Sequence, residues 1–98
     1  MIAMASSKDY LTYALDLLRE VDGISIKKMM GEYLLYRDGT LFGGIYDDRF
    51  LIKKTPSVEC YGLKEEIPYP SAKPMLLIDI EDSRKIKEIV IAVCHDLS

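Results

Sequence analysis

The sequence predicts an α+β domain with two layers, in which an N-terminal and a C-terminal helix cover one face of an antiparallel β-meander. Apolar residues recur at helical spacing near the two ends of the chain. Between them, short strand-like runs alternate with turn signals, and the connections are too short for crossover helices. A chain of 98 residues has the size of one domain. We therefore expect a single domain over residues 1–98, with its core in residues 4–97.

The first helix is predicted over residues 7–21. The hydroxyl of Ser6 or Ser7 can accept a hydrogen bond from an amide of the first turn. Gly23 follows the helix, and glycine readily adopts the left-handed conformation that ends helices. The apolar stripe of this helix contains Leu11, Ala14, Leu15, Leu18 and Val21.

Four strands of the meander are predicted between residues 24 and 53. In the first, Ile24 and Ile26 alternate with polar residues. Asp38-Gly39 predicts a type I′ turn, because both central positions of that turn need a positive φ. The other predicted parts are strands over residues 32–36, 41–46 and 49–53, with a turn at Asp47-Asp48.

The last third of the chain is predicted to contain two helices and one strand. Thr55 and Pro56 begin a short helix that ends at Gly62. Three prolines make residues 65–74 an extended loop. A buried strand is predicted over residues 75–80, and Asp82 or Ser83 caps the closing helix. The apolar stripe of that helix contains Ile86, Ile89, Val90, Val93 and Leu97.

The composition is that of an ordinary folded protein. Hydrophobic residues make up 49% of the chain and charged residues 30%, which excludes a disordered chain. The 13 basic and 16 acidic residues give a net charge of −3, and neither half is basic. This balance argues against a stand-alone nucleic-acid-binding protein.

The sequence also predicts a cytoplasmic protein that does not bind a membrane. The start of the chain lacks a signal-peptide pattern, and no apolar run is long enough to span a bilayer. Cys60 and Cys94 have no metal-binding spacing, and we interpret them as reduced thiols.

No pattern of residues indicates catalysis, a metal site or a cofactor. His95 is the only histidine, and its neighbours on a helix point about 100° away from it. We interpret His95 as a cation near a helix C-terminus. Acidic pairs occur at residues 47–48, 65–66 and 81–82, and turns or helix starts explain the first and the third. We predict a protein that is not an enzyme.

Gly43 and Gly44 are unusual because both lie inside a predicted strand. Glycine weakens a strand unless a bend, a tightly packed helix or the close approach of another backbone requires it. In the last alternative, the backbone of a partner approaches this strand. Tyrosine is enriched at interfaces, and some of the seven tyrosines are expected there. The candidate interaction surface contains Gly43, Gly44, Tyr46, Lys53, Tyr69 and Lys73.

Three separated runs resemble a known family. They are KMMGEYLLY at residues 28–36, LFGGIYDDRFLIK at residues 41–53 and PYPSAKPM at residues 68–75. In this order they are similar to the N-terminal domain of the TfoX/Sxy family of competence regulators. The resemblance implies an α+β fold with an antiparallel sheet, like that of secretion chaperones, and it supplies no catalytic residues. It starts near Met4, which suggests Met4 instead of Met1 as the natural initiator.

The resemblance also implies a limit on function. In the two-domain regulators, this domain precedes a C-terminal helical domain. The whole protein promotes transcription of DNA-uptake genes together with the cyclic-AMP receptor protein. This sequence stops at Ser98, so we expect no C-terminal helical domain in it. The expectation is therefore a stand-alone regulatory or protein-interaction module that is not an enzyme.

The sequence is compatible with three functions. The first is the regulatory or protein-interaction module, with an unidentified protein partner and a possible homodimer formed through exposed strand edges. The second is a weak nucleic-acid-binding accessory protein of transcription that uses Lys27, Lys28, Lys53 and Lys54. The third is a small-ligand-binding domain with a pocket near Gly43-Gly44 and the 68–74 loop.

Overall fold

The computed structural model describes residues 7–98 and contains two α-helices and a six-stranded antiparallel sheet. The strand order is β1-β2-β3-β4-β6-β5, so the first four strands form a meander and β6 lies between β4 and β5. This arrangement confirms the predicted α+β fold. Met1, Met4 and Ser6 lie outside the described residues. The elements are α1 Lys8–Leu17, β1 Ile24–Met29, β2 Glu32–Arg37, β3 Thr40–Ile45, β4 Phe50–Lys53, a 3₁₀ helix Pro56–Tyr61, β5 Glu65–Glu66, β6 Met75–Leu77 and α2 Ser83–Leu97.

Two-residue turns join the strands of the meander. Asp38 and Gly39 have φ values of 49° and 84°, which confirms the predicted type I′ turn. Asp47 and Asp48 also have positive φ, and the residues on either side exchange two backbone hydrogen bonds of 2.9 Å. Met30-Gly31 forms the third such turn, with φ values of 52° and 85°. A methionine in the left-handed region is uncommon, because its Cβ crowds the following carbonyl.

Gly43 and Gly44 are required by the neighbouring strands. A Cβ on Gly43 would lie 2.3 Å from the carbonyl oxygen of Leu51 on β4. A Cβ on Gly44 would lie 2.6 Å from the carbonyl oxygen of Tyr33 on β2 and 2.8 Å from the ring of Tyr46. The register between β2 and β3 also shifts just before these glycines. Strand backbone and a ring, instead of a packed helix, therefore explain both glycines.

Both helices cover the same face of the sheet. Directly opposed residues of antiparallel strands share a face. One such row contains Tyr33, Ile45 and Phe50, and the next contains Leu35, Gly43 and Ile52. Apart from Gly43, which has no side chain, the residues of these two rows are buried in one core with residues of both helices. The helical members of this core are Leu11, Ala14, Leu17, Ile86, Ile89, Val90, Val93 and Cys94.

The alternate positions of the strands form the second face, which we call the open face. Leu34, Gly44, Leu51 and Leu77 lie opposite one another in a row on this face. Leu51 is fully buried but does not belong to the core beneath the helices. Residues 67–74, which have no regular secondary structure, connect β5 to β6.

The ends of α2 are held by carboxylates. Asp82 caps its N-terminus as predicted, and its Oδ1 accepts hydrogen bonds from the amides of Arg84 and Lys85 at 3.0 and 3.2 Å. Near the C-terminus, Asp96 accepts hydrogen bonds from the hydroxyl and amide of Ser57 at 2.7 and 2.9 Å. These bonds lower the pKa of Asp96 and join α2 to the 3₁₀ helix.

Three predicted boundaries were wrong by more than one residue. The α-helix at the N-terminus ends at Leu17 instead of residue 21, because tight turns follow it with hydrogen bonds from Arg19 to Asp16 and from Val21 to Leu18. The predicted loop over residues 65–74 begins with the short strand β5, since Glu65 and Glu66 precede the first proline and pair with β6. The last strand ends at Leu77 instead of residue 80.

Candidate functional site

A groove of about 460 Å³ lies on the open face, between the sheet and residues 67–74. Its volume falls within the range of small-ligand and peptide-side-chain sites, roughly 300–1,000 Å³. We call it the basic groove, because lysines are the only ionisable groups apart from tyrosine that residues 7–98 contribute to its lining. The lining residues are Leu41, Gly43, Tyr46, Lys53, Lys54, Pro68, Tyr69, Ala72, Lys73, Pro74 and Met75.

Arg49 fastens residues 67–74 to the sheet and so builds one wall of the groove. Its guanidinium donates to the carbonyl oxygens of Ile67 and Pro68 at 3.2 and 3.1 Å. It also donates to the Tyr46 carbonyl at 3.2 Å and to Oε1 of Glu66 at 2.8 Å. The bond from Arg49 holds the pKa of Glu66 below its usual range. One side chain, immediately before β4, thus positions residues that are 18 and 19 positions away in sequence.

Tyr46 and Tyr69 separate the basic groove from a second concavity. Their ring centroids are 6.3 Å apart and the rings are tilted by 49°. The absence of a Cβ on Gly44 leaves the space that the Tyr46 ring occupies. Burial and the neighbouring Tyr69 raise the pKa of Tyr46, so its hydroxyl is neutral at ordinary pH. The pair presents two aromatic rings to a ligand, and Tyr69 is 59% exposed.

The lysines of the groove differ in their partners. Lys54 forms an ion pair with Glu65, which raises the pKa of the lysine. Among residues 7–98, no carboxylate lies within ion-pair distance of Lys53 or Lys73. Among the described residues, no aspartate or glutamate lines the basic groove. The basic groove is therefore a local concentration of positive charge on a chain whose net charge is −3.

A second concavity, of about 380 Å³, lies on the other side of the tyrosine pair. We call it the apolar hollow; its lining is Met29, Met30, Glu32, Leu34, Tyr46 and Tyr69. Met30 is 96% exposed at the tip of the β1–β2 turn. A left-handed conformation costs an ordinary residue roughly 1–2 kcal/mol. Met30 combines this cost with full exposure, so packing within the chain does not explain its identity.

The structure brings most of the predicted surface residues together. Gly43, Tyr46, Lys53, Tyr69 and Lys73 all line the basic groove. Gly44 lies beneath the Tyr46 ring and does not line the groove. The predicted pocket near these glycines and the 68–74 loop is thus present as a concavity. Its role in binding stays a prediction.

No pattern in the sequence indicated the apolar hollow or the role of Met30 in it. Methionine is not typical of the first position of a type I′ turn, so Met30-Gly31 did not resemble a turn. Gly31, between two strand-like runs, was the available signal.

The two lysine pairs proposed for nucleic-acid binding do not converge. Lys27 and Lys28 belong to the edge strand β1, whereas Lys53 ends β4 and Lys54 follows it. Three strand spacings separate β1 from β4 in the order of the sheet, which is about 14 Å. The pairs therefore form two separate basic spots instead of one phosphate-binding track.

The remaining reactive groups are dispersed. Within residues 7–98, no three histidine, cysteine, aspartate or glutamate side chains are close enough to hold a metal ion. Cys60 is exposed and Cys94 is buried, and neither forms a disulfide. Burial raises the pKa of Cys94, so its thiol is protonated. His95 lies in the last turn of α2, as predicted. No helix in the described part of the chain combines the length and apolar character needed to cross a membrane.

Comparison with known proteins finds a similar protein and a matching family. The chain is 29% identical over 91 residues to a Spirochaeta aurantia protein described as an uncharacterized 12.7 kDa protein in the trpE 5′ region. The match covers 89% of this chain and 79% of that relative. The sequence model of the TfoX N-terminal domain family matches residues 16–73. These residues include the meander, Arg49 and most of the basic groove. The chain therefore belongs to the TfoX N-terminal domain family.

Proposed function

We propose that this chain is a binding module of the TfoX N-terminal type that is not an enzyme and acts by contacting a protein partner through its open face. One observation carries the proposal: exposed aromatic and methionine side chains and two unpaired lysines form one continuous surface there. Tyrosine and methionine are enriched in protein interfaces. Large exposed apolar groups that lie together are typical of interaction sites.

The residues of this surface support recognition better than catalysis. The ionisable side chains that residues 7–98 contribute to the lining of the basic groove are lysines and tyrosines. Burial raises the pKa of Tyr46, so its phenol stays protonated at neutral pH and does not supply a phenolate that could act as a base. Such groups orient and hold a ligand by charge and ring contact.

Self-association through a strand edge has less support than the open face. β1 is an edge strand, and five of its six residues are exposed. It carries Lys27 and Lys28, and lysine on an edge strand opposes pairing with another edge. A homodimer formed through β1 is therefore the weaker proposal, and sedimentation at rising concentration would reveal it.

Site-specific photo-crosslinking tests the proposal. A photoreactive phenylalanine replaces Tyr69 on the open face or, as a control, the exposed Lys87 on α2. In the native cell, position 69 should give one dominant crosslinked product, and position 87 should not give that product. A Met30→Gly substitution should weaken the product at position 69. Equal crosslinking from both positions, or none from position 69, would contradict the proposal.

A further inference from the structure

We propose that the segment of the partner that binds the open face is a short acidic stretch next to a bulky apolar side chain. The acidic residues would lie in the basic groove, and the apolar side chain would lie in the apolar hollow. This inference rests on the proposed function, and it adds the chemistry of the ligand.

Charge complementarity selects an anionic ligand for the basic groove. Lys53 and Lys73 have no carboxylate within ion-pair distance among residues 7–98. Lys54 adds a third ammonium group at the rim, although Glu65 neutralises it in part. A carboxylate placed between Lys53 and Lys73 would gain attraction without displacing an acidic partner of either lysine.

The shared tyrosine wall explains why one ligand would have two chemical parts. Tyr46 and Tyr69 line the basic groove and the apolar hollow alike. A segment that crosses this pair therefore enters both concavities. An extended chain advances about 3.3 Å per residue, so about four residues bridge a ring pair and reach both sides. Met29, Met30 and Leu34 then offer apolar contacts to the bulky side chain next to the acidic stretch.

Acidic groups around the open face favour a short peptide over a nucleic acid. Glu32 lines the apolar hollow, and its carboxylate accepts a hydrogen bond from the amide of Asp47 in the turn that follows Tyr46. Glu66 lies on the edge strand β5, opposite Met75 of the groove lining. A nucleic acid carries a charge on every phosphate, so a strand that extended beyond the basic groove would approach these carboxylates. A peptide can confine its negative charge to the groove and continue with uncharged residues.

Fluorescence anisotropy with defined probes tests the inference. The first probe is a labelled peptide with four glutamates followed by leucine and tryptophan. The second replaces the glutamates with lysines, and the third replaces leucine and tryptophan with glycine and serine. A labelled twelve-residue oligothymidylate and inorganic phosphate, used as a competitor, represent a nucleic acid and a free anion. The first peptide should bind most tightly, and its Kd should rise with salt.

A pair of charge-matched double variants locates the binding. Lys53→Gln with Lys73→Gln removes the unpaired lysines of the groove. Lys8→Gln with Lys87→Gln removes the same charge from exposed positions on the two helices. The first variant should raise the Kd of the acidic–apolar peptide about tenfold, and the second should change it less than about twofold.

Several results would overturn the inference. They are absence of peptide binding, an equal loss of affinity in both double variants, and tighter binding of the oligothymidylate than of the first peptide. Equal affinity for the first and third peptides, or full competition by phosphate near the concentration of the protein, would show an anion site without the apolar contact. If photo-crosslinking at position 69 succeeds while these peptides fail, the interaction surface stands and the acidic ligand is rejected.

Discussion

The two faces of the same sheet differ in what they contact. On the covered face, Tyr33, Leu35 and Ile52 are buried against the helices. On the open face, Tyr46, Lys53 and Tyr69 border two concavities. Successive residues of a strand point to opposite faces, so β2, β3 and β4 contribute to both. The two faces therefore differ in role: the covered face stabilises the fold, and the open face leaves two concavities accessible to a ligand.

Ile89→Ala should give the largest effect, confined to stability. Ile89 is fully buried in the middle of α2, and its truncation leaves a cavity against the sheet. We expect a loss of about 3–4 kcal/mol in the free energy of unfolding, measured by denaturant titration. Ile91→Ala, on the exposed side of the same helix, is the control and should cost less than about 1 kcal/mol. Equal losses would contradict the assignment of the covered face.

Gly43→Ala should affect both faces. The new Cβ would meet backbone atoms of Leu51 and Ile52, which cannot move without disturbing the pairing of β3 and β4. We expect a loss of about 2–3 kcal/mol, together with weaker binding at the adjacent groove. Ser25→Ala, on the exposed edge strand, should change stability by less than about 0.5 kcal/mol. A Gly43→Ala protein of wild-type stability would show that the sheet does not require this glycine.

Arg49→Gln should loosen the open face more than the covered face. The variant loses the hydrogen bonds that hold the carbonyl groups of Ile67 and Pro68. We expect a loss of about 1–2 kcal/mol and faster amide hydrogen exchange in residues 67–74, measured by mass spectrometry. Arg19→Gln removes an exposed pair with Asp16 and should leave both quantities nearly unchanged. Unchanged exchange in residues 67–74 would contradict the role assigned to Arg49.

Met30→Asn should have the smallest effect on stability and the opposite sign. Asn-Gly suits a type I′ turn, so the variant should gain about 0.5–1 kcal/mol in the free energy of unfolding. It should also lose affinity for the partner, because an apolar contact of the hollow is removed. Asp38→Asn, at the turn between β2 and β3, is the control and should not affect binding. A more stable Met30→Asn protein with undiminished binding would exclude Met30 from the interface.

Local patterns predicted the parts of the fold that depend on neighbouring residues. Asp38-Gly39 fits its turn by its own backbone preferences, and Asp82 caps α2 through amides two and three residues away. The apolar stripe of α1 was misleading at its end, because Leu18 and Val21 stay buried although tight turns replace the helix. The two residues of β5 are too few for a periodic pattern.

The candidate site could be predicted only in part. Strand alternation places Tyr46 and Lys53 on one face, and glycines within a strand marked the region. The wall of the groove depends on Arg49 reaching residues 67 and 68, a long-range contact without a local signature. The apolar hollow depends on Met30, which adopts a left-handed conformation that its side chain disfavours. Residue preferences for turns therefore did not indicate a turn at Met30-Gly31.

Amide hydrogen exchange of the free and the partner-bound chain tests the central claim most directly. The partner is the protein trapped by crosslinking at position 69, purified with the unmodified chain. If the open face is the interface, binding should slow exchange in residues 29–34 and 67–75 and leave α2 unchanged. Slowing confined to α1 and α2, with unchanged exchange around the basic groove and the apolar hollow, would contradict the account.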